Sequence, residues 1–334
     1  MKRFLFFCGI FFLCSPALTV QGMTSITVYT AAEPGLLSRY DKAFAEMYPD
    51  ITIKWVRDSG GPIVERLINE RNEPQADAIF ALSLSGVLSL DSDMLEPYTP
   101  KGAEHISPAM RNLSPIPTWV AMNAWGAGLC VNTNRVKSLG FTETNSWRGL
   151  TDPALKGHVV MSSPLTSSTA LMIVNSWLDL MGEAEGWNYM EELDRNISQY
   201  SFSGCGPCQL AAEGKAAIGI SSAMCMPLVQ DNETPVELVI PKIGTGWDME
   251  VSALVKNSLP FDHPRRRAAR LLMDFSTSKT AGEISAEGRL IPARQDCLSP
   301  EAKRQQALFL PTNFEKGVRE RQYTLNEWRR RFQR

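Results

Sequence analysis

Apolar positions along this chain fall in short blocks separated by stretches of helical spacing. Residues 26–30 read as a strand, and Leu36, Tyr40, Phe44 and Met47 then recur every three to four positions, as on one face of a helix. Pro34 suits the first turn of that helix, where a missing N–H costs nothing. Residues 51–56 form a second strand block. Asp58-Ser-Gly-Gly-Pro62 repeats the turn-then-proline arrangement before a helix striped with Ile63, Leu67 and Ile68. A third strand block covers residues 76–82 and is closed by Ser83-Leu-Ser-Gly86. Alternating strands and helices predict an α/β fold with largely parallel sheets. Each of these strands ends in a small polar loop, and ligands of open α/β sheets sit outside the carboxyl ends of the strands.

The pattern then changes. Residues 119–133 are extended and rich in small residues, which predicts a segment crossing into a second lobe. That lobe is expected to hold strands at 157–162, 215–221 and 236–240, a long helix after Pro164, and a second helix carrying Trp187, Met190 and Leu193. Residues 250–256 read as the return crossing, 265–275 as an amphipathic helix and 326–332 as a basic helix. The expected division is 23–123 with about 252–290 in lobe 1, and 124–251 with about 291–334 in lobe 2. Two crossings without a flexible linker imply hinge closure on a central cleft.

The first 22 residues fit neither lobe. Lys2 and Arg3, an apolar run over residues 4–13, and Val20-Gln-Gly22 form the pattern of an export signal cut near Gly22. The run is too short for a membrane-spanning helix, which needs about 20 apolar residues. The remaining chain of about 310 residues suits two lobes better than one small core. Removing Lys2 and Arg3 takes the net charge from −2 to −4. A mildly acidic protein has no field to hold nucleic acid nonspecifically.

Five cysteines follow the signal: Cys130, Cys205, Cys208, Cys225 and Cys297. Cys205-Gly-Pro-Cys208 has the spacing of a thioredoxin dithiol but lies within a larger α/β pattern. A structural disulfide or two unpaired thiols is the expectation, with Cys225 a competing partner. The only histidines, His105, His158 and His263, are scattered, so no metal site and no cofactor is expected. No Gly-x-Ser-x-Gly elbow or Walker loop is present, so an enzyme is not expected. The arginine clusters 265–267 and 329–331 read as solvated helix faces.

Thr166-Ser-Ser-Thr169 is the leading site signal. Its hydroxyls precede a helix, beside free backbone N–H groups and the positive end of the dipole, which suits a phosphate, phosphonate or carboxylate. An N-cap with spare serines is the plainer alternative. Ser59 and Gly60 offer a matching set in the first lobe, and Ser203 with Gly204 a third helix start. Glu33, Trp125, Trp247 and Asp248 are candidates for a cationic group on the same ligand, since aromatic faces attract ammonium by about 0.5–2 kcal/mol.

These blocks resemble a known family. Val28-Tyr-Thr-Ala-Ala-Glu-Pro, Trp55-Val-Arg-Asp-Ser-Gly, Leu95-Glu-Pro-Tyr, Ser162-Ser-Pro-Leu-Thr-Ser-Ser-Thr, Gly186-Trp-Asn-Tyr-Met, Ile197-Ser-Gln-Tyr, Pro207-Cys-Gln-Leu-Ala-Ala-Glu-Gly and Gly246-Trp-Asp-Met-Glu are similar to type II periplasmic solute-binding proteins. The branch resembled includes binders of ferric iron, sugar phosphates and 2-aminoethylphosphonate, the last being most similar. The resemblance implies a two-lobed type II fold with an interlobe ligand cleft. It further implies a periplasmic monomer that captures a small anionic organic ligand and delivers it to an inner-membrane ABC permease. Glu33, Ser59, Gly60, Trp125, Ser167, Ser168, Thr169, Ser203, Trp247 and Asp248 would be its ligand-binding residues. Sugar phosphate or phosphoglycerate, for transport or sensing, is the alternative. Iron is disfavoured: iron-binding members carry adjacent tyrosines where this chain has Ser222-Ala-Met-Cys-Met226. A thiol oxidoreductase is a further alternative that the sequence context opposes.

Overall fold

Burial of the strand blocks fixes the architecture. The structure, a computed structural model, describes residues 23–229 and 234–332; the expected export signal lies outside the described residues. In lobe 1, β1 (Thr24–Thr30) is followed by α1 (Pro34–Met47), β2 (Ile51–Arg57), α2 (Gly60–Asn69), β3 (Ala78–Ser83), the single turn α3 (Leu84–Val87) and β4 (Leu95–Glu96). β1 lies parallel to both β2 and β3. α1 buries Leu37, Tyr40 and Phe44, and α2 buries Ile63 and Leu67. Met47 and Ile68 are about half exposed, so the buried stripes are narrower than the sequence spacing indicates.

β5 (Val120–Asn132) is buried at every position and runs through both lobes. Lobe 2 continues with α4 (Thr133–Ser138), β6 (Val159–Ser162), α5 (Ser168–Met181), α6 (Glu183–Asp194), β7 (Ile197–Ser201), α7 (Gly206–Ala212), β8 (Ile218–Ser222) and β9 (Val236–Val239). The chain returns through β10 (Trp247–Val255), then forms α8 (Pro264–Ser276), α9 (Lys279–Glu287), β11 (Ile291–Pro292), α10 (Pro300–Gln306) and α11 (Phe314–Phe332). The central strand order is β2-β1-β3-β10-β5-β8-β6-β7. Up to Gly126, β5 pairs with β10; from Ala127 it pairs with β8. The sheet therefore passes from one lobe to the other between Gly126 and Ala127. A Cβ at Gly126 would come within 2.6 Å of the Phe309 ring, so this junction is packed to the backbone.

The sheet is mixed, a correction to the largely parallel expectation. β10 runs antiparallel to β3 and β5, and β5 antiparallel to β8 and β9. A strand that returns directly along the crossing strand must run against it. α11 begins twelve residues before the basic segment read from sequence. It packs on α3 of lobe 1 and on α5 and α6 of lobe 2.

Each lobe has its own core. In lobe 2, Trp147, Trp177 and Tyr189 pack edge to face, with ring centroids 5.2–5.5 Å apart. In lobe 1, Tyr40, Phe44, Phe80 and Phe275 do the same on one face of the sheet. Each fully buried aromatic contributes about 1.5–3 kcal/mol. The arginines of α8 are not simply solvated. Arg265 pairs with the buried Asp77 at 2.9 Å, and Arg266 with Glu96 at 2.5 Å; Arg270 reaches Glu96 at 2.8 Å. These pairs tie α8 to the sheet. On α11, Arg331 lies 5.2 Å from the Trp187 ring, and Arg330 pairs with Glu327 at 2.6 Å.

Candidate functional site

Loops at the carboxyl ends of the strands converge on one interlobe cavity of about 210 Å³. Lobe 1 supplies Glu33 after β1, Arg57 at the end of β2, Ser59 and Gly60 after it, and Ala81 and Ser83 from β3. Lobe 2 supplies residues 166–169 after β6, Ser203 to Cys205 after β7, Gln209 and Met224. The joining strands β5 and β10 add Trp125 and Glu250.

The N-termini of α2 and α5 meet here from opposite lobes. Ser167 caps α5: its Oγ accepts from the Ala170 N–H at 3.3 Å. The first-turn N–H groups of Ser168 and Thr169 have no intrahelical acceptor, as in any helix start. Ser59 occupies the cap position of α2 and makes no side-chain cap bond, which leaves its hydroxyl available. A Cβ built on Gly60 would lie 3.2 Å from the Ser168 Oγ, so the two lobes all but touch at this point. The Ser203–Cys205 loop is held against the same helix start. Ser162 Oγ donates to the Ser203 carbonyl at 2.7 Å, and Ser221 Oγ to the Gly204 carbonyl at 2.6 Å. A Cβ on Gly204 would come within 2.8 Å of Thr169 Oγ1. Thr166 is committed elsewhere, donating to the Phe202 carbonyl at 2.9 Å. Ala81 carries a φ of 52°, a left-handed conformation at the cavity wall that costs a non-glycine residue about 1–2 kcal/mol.

Two carboxylates face the same space. Glu33 stands at the cap position of α1 without capping it, and Arg57 approaches it to 3.7 Å. Burial raises its pKa, against the opposing pull of Arg57. Glu250 is 4 % exposed, and Asn123 Nδ2 donates to its Oε2 at 2.8 Å. Burial, with Glu33 and Asp248 nearby, raises the Glu250 pKa to about 7.

Trp247 and Asp248 are placed differently from the other sequence candidates. They line a neighbouring cavity of about 290 Å³, between α5 and α11. Trp247 stacks on Phe309 at 5.0 Å and donates from Nε1 to the Leu310 carbonyl. Asp248 is fully buried and accepts from Ser85 Oγ at 2.6 Å and from the Met249 N–H at 2.7 Å. Burial raises its pKa to about 6. Ser168 borders both cavities.

Of the cysteine alternatives, the structure has the one in which Cys225 is the competing partner. Cys205 is joined to Cys225 and Cys208 to Cys130, with Cα atoms 5.2 Å apart in both pairs; Cys297 is free. Cys205, at the cap position of α7, and Cys208, in its first turn, each bond a partner from outside the helix rather than each other. No dithiol is left for exchange chemistry at this motif. Among the described residues, no group of three or more His, Cys, Asp or Glu is arranged to hold a metal ion. None of the described helices is long and apolar enough to cross a membrane.

Residues 88–315 match the family described as bacterial extracellular solute-binding protein. The chain belongs to this family. The solute-binding protein is 31% identical over 283 residues to an uncharacterized protein of Haemophilus influenzae, covering 82% of this chain and 80% of the relative. It is 24% identical over 177 residues to the probable ABC transporter periplasmic-binding protein y4fP of Sinorhizobium fredii, covering 51% and 48% of the two chains. The periplasmic binding protein AfuA of Actinobacillus pleuropneumoniae, solved with exogenous fructose-6-phosphate bound, superposes with a TM-score of 0.82. AfuA is 27% identical, and the match covers 93% of this chain and 99% of AfuA. These likenesses establish the two-lobed type II periplasmic-binding fold.

Arg57, Ser83, Gln209, Met224 and Glu250 line the cavity without being among the residues the sequence marks as ligand-binding. Glu250 carried a usable signal: a lone acid in the apolar run Met249-Glu-Val-Ser-Ala-Leu-Val255. A carboxylate in a strand buried on both faces needs a polar partner or a ligand.

Proposed function

We propose that this solute-binding protein is the periplasmic receptor of an ABC importer for a small organic phosphonate or phosphate, with 2-aminoethylphosphonate the leading compound. The observation that carries the reading is the convergence of the α2 and α5 N-termini, from opposite lobes, on one cavity lined by hydroxyls. Ser59, Gly60, Ser167, Ser168, Thr169 and Ser203 would hold the anionic head. Two or three charge-assisted hydrogen bonds of about 1.5–3 kcal/mol each reach, at the upper end of that range, the roughly 8 kcal/mol of micromolar binding. Glu33 and Trp125 would contact the other end. The protein acts as a monomeric carrier that passes its ligand to an inner-membrane permease.

A sugar phosphate is the second reading, favoured by the fructose-6-phosphate bound to AfuA. Calorimetry with 2-aminoethylphosphonate, fructose 6-phosphate, phosphoglycerate and inorganic phosphate separates the two. Heat with none of them removes the anion-receptor reading. Ser167→Ala combined with Ser168→Ala is expected to weaken the best ligand at least tenfold; unchanged affinity would mean that the head group binds elsewhere.

A further inference from the structure

Among the described residues, Glu250 is a buried acid with no counter-ion. It lies on β10, one of the two strands that join the lobes, and opens into the cavity between them. Its Oε2 is held by Asn123 of β5. Its Oε1 has no hydrogen-bond partner among the described residues, yet is not sealed from the cavity. The ionisable groups around it offer no positive charge: Glu33 from the loop after β1, Asp248 on β10 itself, and Tyr40 of α1, whose hydroxyl is engaged with Ser285. Among the described residues lining the cavity the one arginine, Arg57, is turned to Glu33. A carboxylate kept in this setting is costly unless something in the cavity balances it. Glu33, the other acid of the cavity wall, has Arg57 at 3.7 Å as its partner.

We propose that Glu250, with Glu33, receives a cationic group of the bound ligand, so that the site selects a zwitterion bearing both an ammonium and a phosphonate or phosphate over an anion with a neutral tail. This rests on the anion-receptor reading and adds the second half of the ligand. The helix starts attract the anion, and the acids attract the cation. An anion with an uncharged tail leaves Glu250 unbalanced and adds a like charge to the cavity. The ligand-free acid titrates near neutrality. An ammonium beside Oε1 lowers that pKa, so the zwitterion binds with release of a proton, and binds more tightly as pH rises toward and past 7. A neutral-tailed dianion raises the same pKa and binds with proton uptake, so its affinity falls over that range.

The test compares 2-aminoethylphosphonate with propylphosphonate, which keeps the phosphonate and the chain length but has no amine. The native protein is expected to prefer the amine at least tenfold. Its affinity for 2-aminoethylphosphonate should rise about fourfold between pH 6.5 and 8.5, for a group titrating near 7. Glu250→Gln should lose that preference and the pH trend, while binding propylphosphonate as well as the native protein or better. Equal affinities for the two compounds in the native protein, or an unchanged preference in Glu250→Gln, overturns the assignment and leaves the anion-receptor reading standing. Binding of neither compound, nor of any other organic phosphate, removes both. If Glu250→Gln does not fold, calorimetry of the native protein in buffers of different ionisation enthalpy decides. Proton release on binding 2-aminoethylphosphonate supports the assignment, and uptake or no exchange overturns it.

Discussion

Gly60→Ala separates closure of the lobes from folding. Gly60 opens α2 and has no positive φ, so alanine fits the backbone there. On general grounds a glycine-to-alanine change at a compatible site stabilises a protein by about 0.4–1 kcal/mol, through the unfolded chain. Across the closed cleft, however, the new methyl meets Ser168 Oγ at 3.2 Å. Relieving that contact requires the serine to rotate or the lobes to stay slightly apart, and overpacking of this kind costs about 1–3 kcal/mol. At the lower end, about 1 kcal/mol, the ligand dissociation constant rises roughly fivefold. The melting temperature of the ligand-free protein should stay level or rise. Ser168 Cβ would be 3.9 Å from the new carbon, an ordinary contact. In a Ser168→Ala background, therefore, the penalty of Gly60→Ala should vanish. Calorimetric titration of the four proteins of this cycle with 2-aminoethylphosphonate, beside thermal melts without ligand, measures both quantities. Additive losses across the cycle, or a ligand-free melt several degrees lower, would refute the cross-cleft contact as the cause.

Two further predictions concern groups outside the anion pole. Non-reducing peptide mapping should recover Cys130 joined to Cys208 and Cys205 joined to Cys225. Reduction should cost stability, with the shorter loop alone worth about 3 kcal/mol, and weaken binding because Ser203 and Gly204 lose their anchor; a recovered Cys205–Cys208 link would contradict the structure. Asp248 has a native pKa raised to about 6, so the folded state holds its proton more tightly than the unfolded state does. Its contribution therefore falls as pH rises from about 4 to 6 and stays low above that, by about 3 kcal/mol for a two-unit shift. Asp248→Asn can still accept from Met249 and can donate to Ser85. It should raise the melting temperature at pH 7.5 and not at pH 4, and an equal change at both would disprove the titration.

The parts of this architecture that rest on local chemistry were legible in the sequence. A run of hydroxyls before a helix marks Ser167 to Thr169, and serine followed by two glycines marks the start of α2. Both mark helix starts whether or not the tertiary structure is known. Long-range facts were not legible. The sequence offers Cys225 as a rival partner for Cys205-Gly-Pro-Cys208 but cannot choose, because the pairing depends on which strands and helices meet, and the Cys130–Cys208 bond spans 78 residues. Trp247 and Asp248 read as part of the cleft because they neighbour it in sequence. In the fold, Ser168 and Gly60 come together, and the space divides into two cavities, with Asp248 on one side and Glu250 on the other. The sequence pattern overstates parallel pairing because helix-connected strands are plain in it, while the two crossing strands, which run against their neighbours, carry no mark of their direction.

The two disulfides interlock in sequence: Cys130 bonds past Cys205 to reach Cys208, and Cys205 bonds past Cys208 to reach Cys225. A nascent chain oxidised in order of appearance would link Cys130 to Cys205 and then Cys208 to Cys225, and neither link is native. Oxidation in that order would have to be undone by thiol exchange, a process that takes seconds to hours, whereas a chain folded before oxidation forms both native bonds directly. In the first case, an oxidising environment without a shuffling catalyst would accumulate misbonded molecules in which the Ser203–Gly204 loop is tethered to the wrong strand.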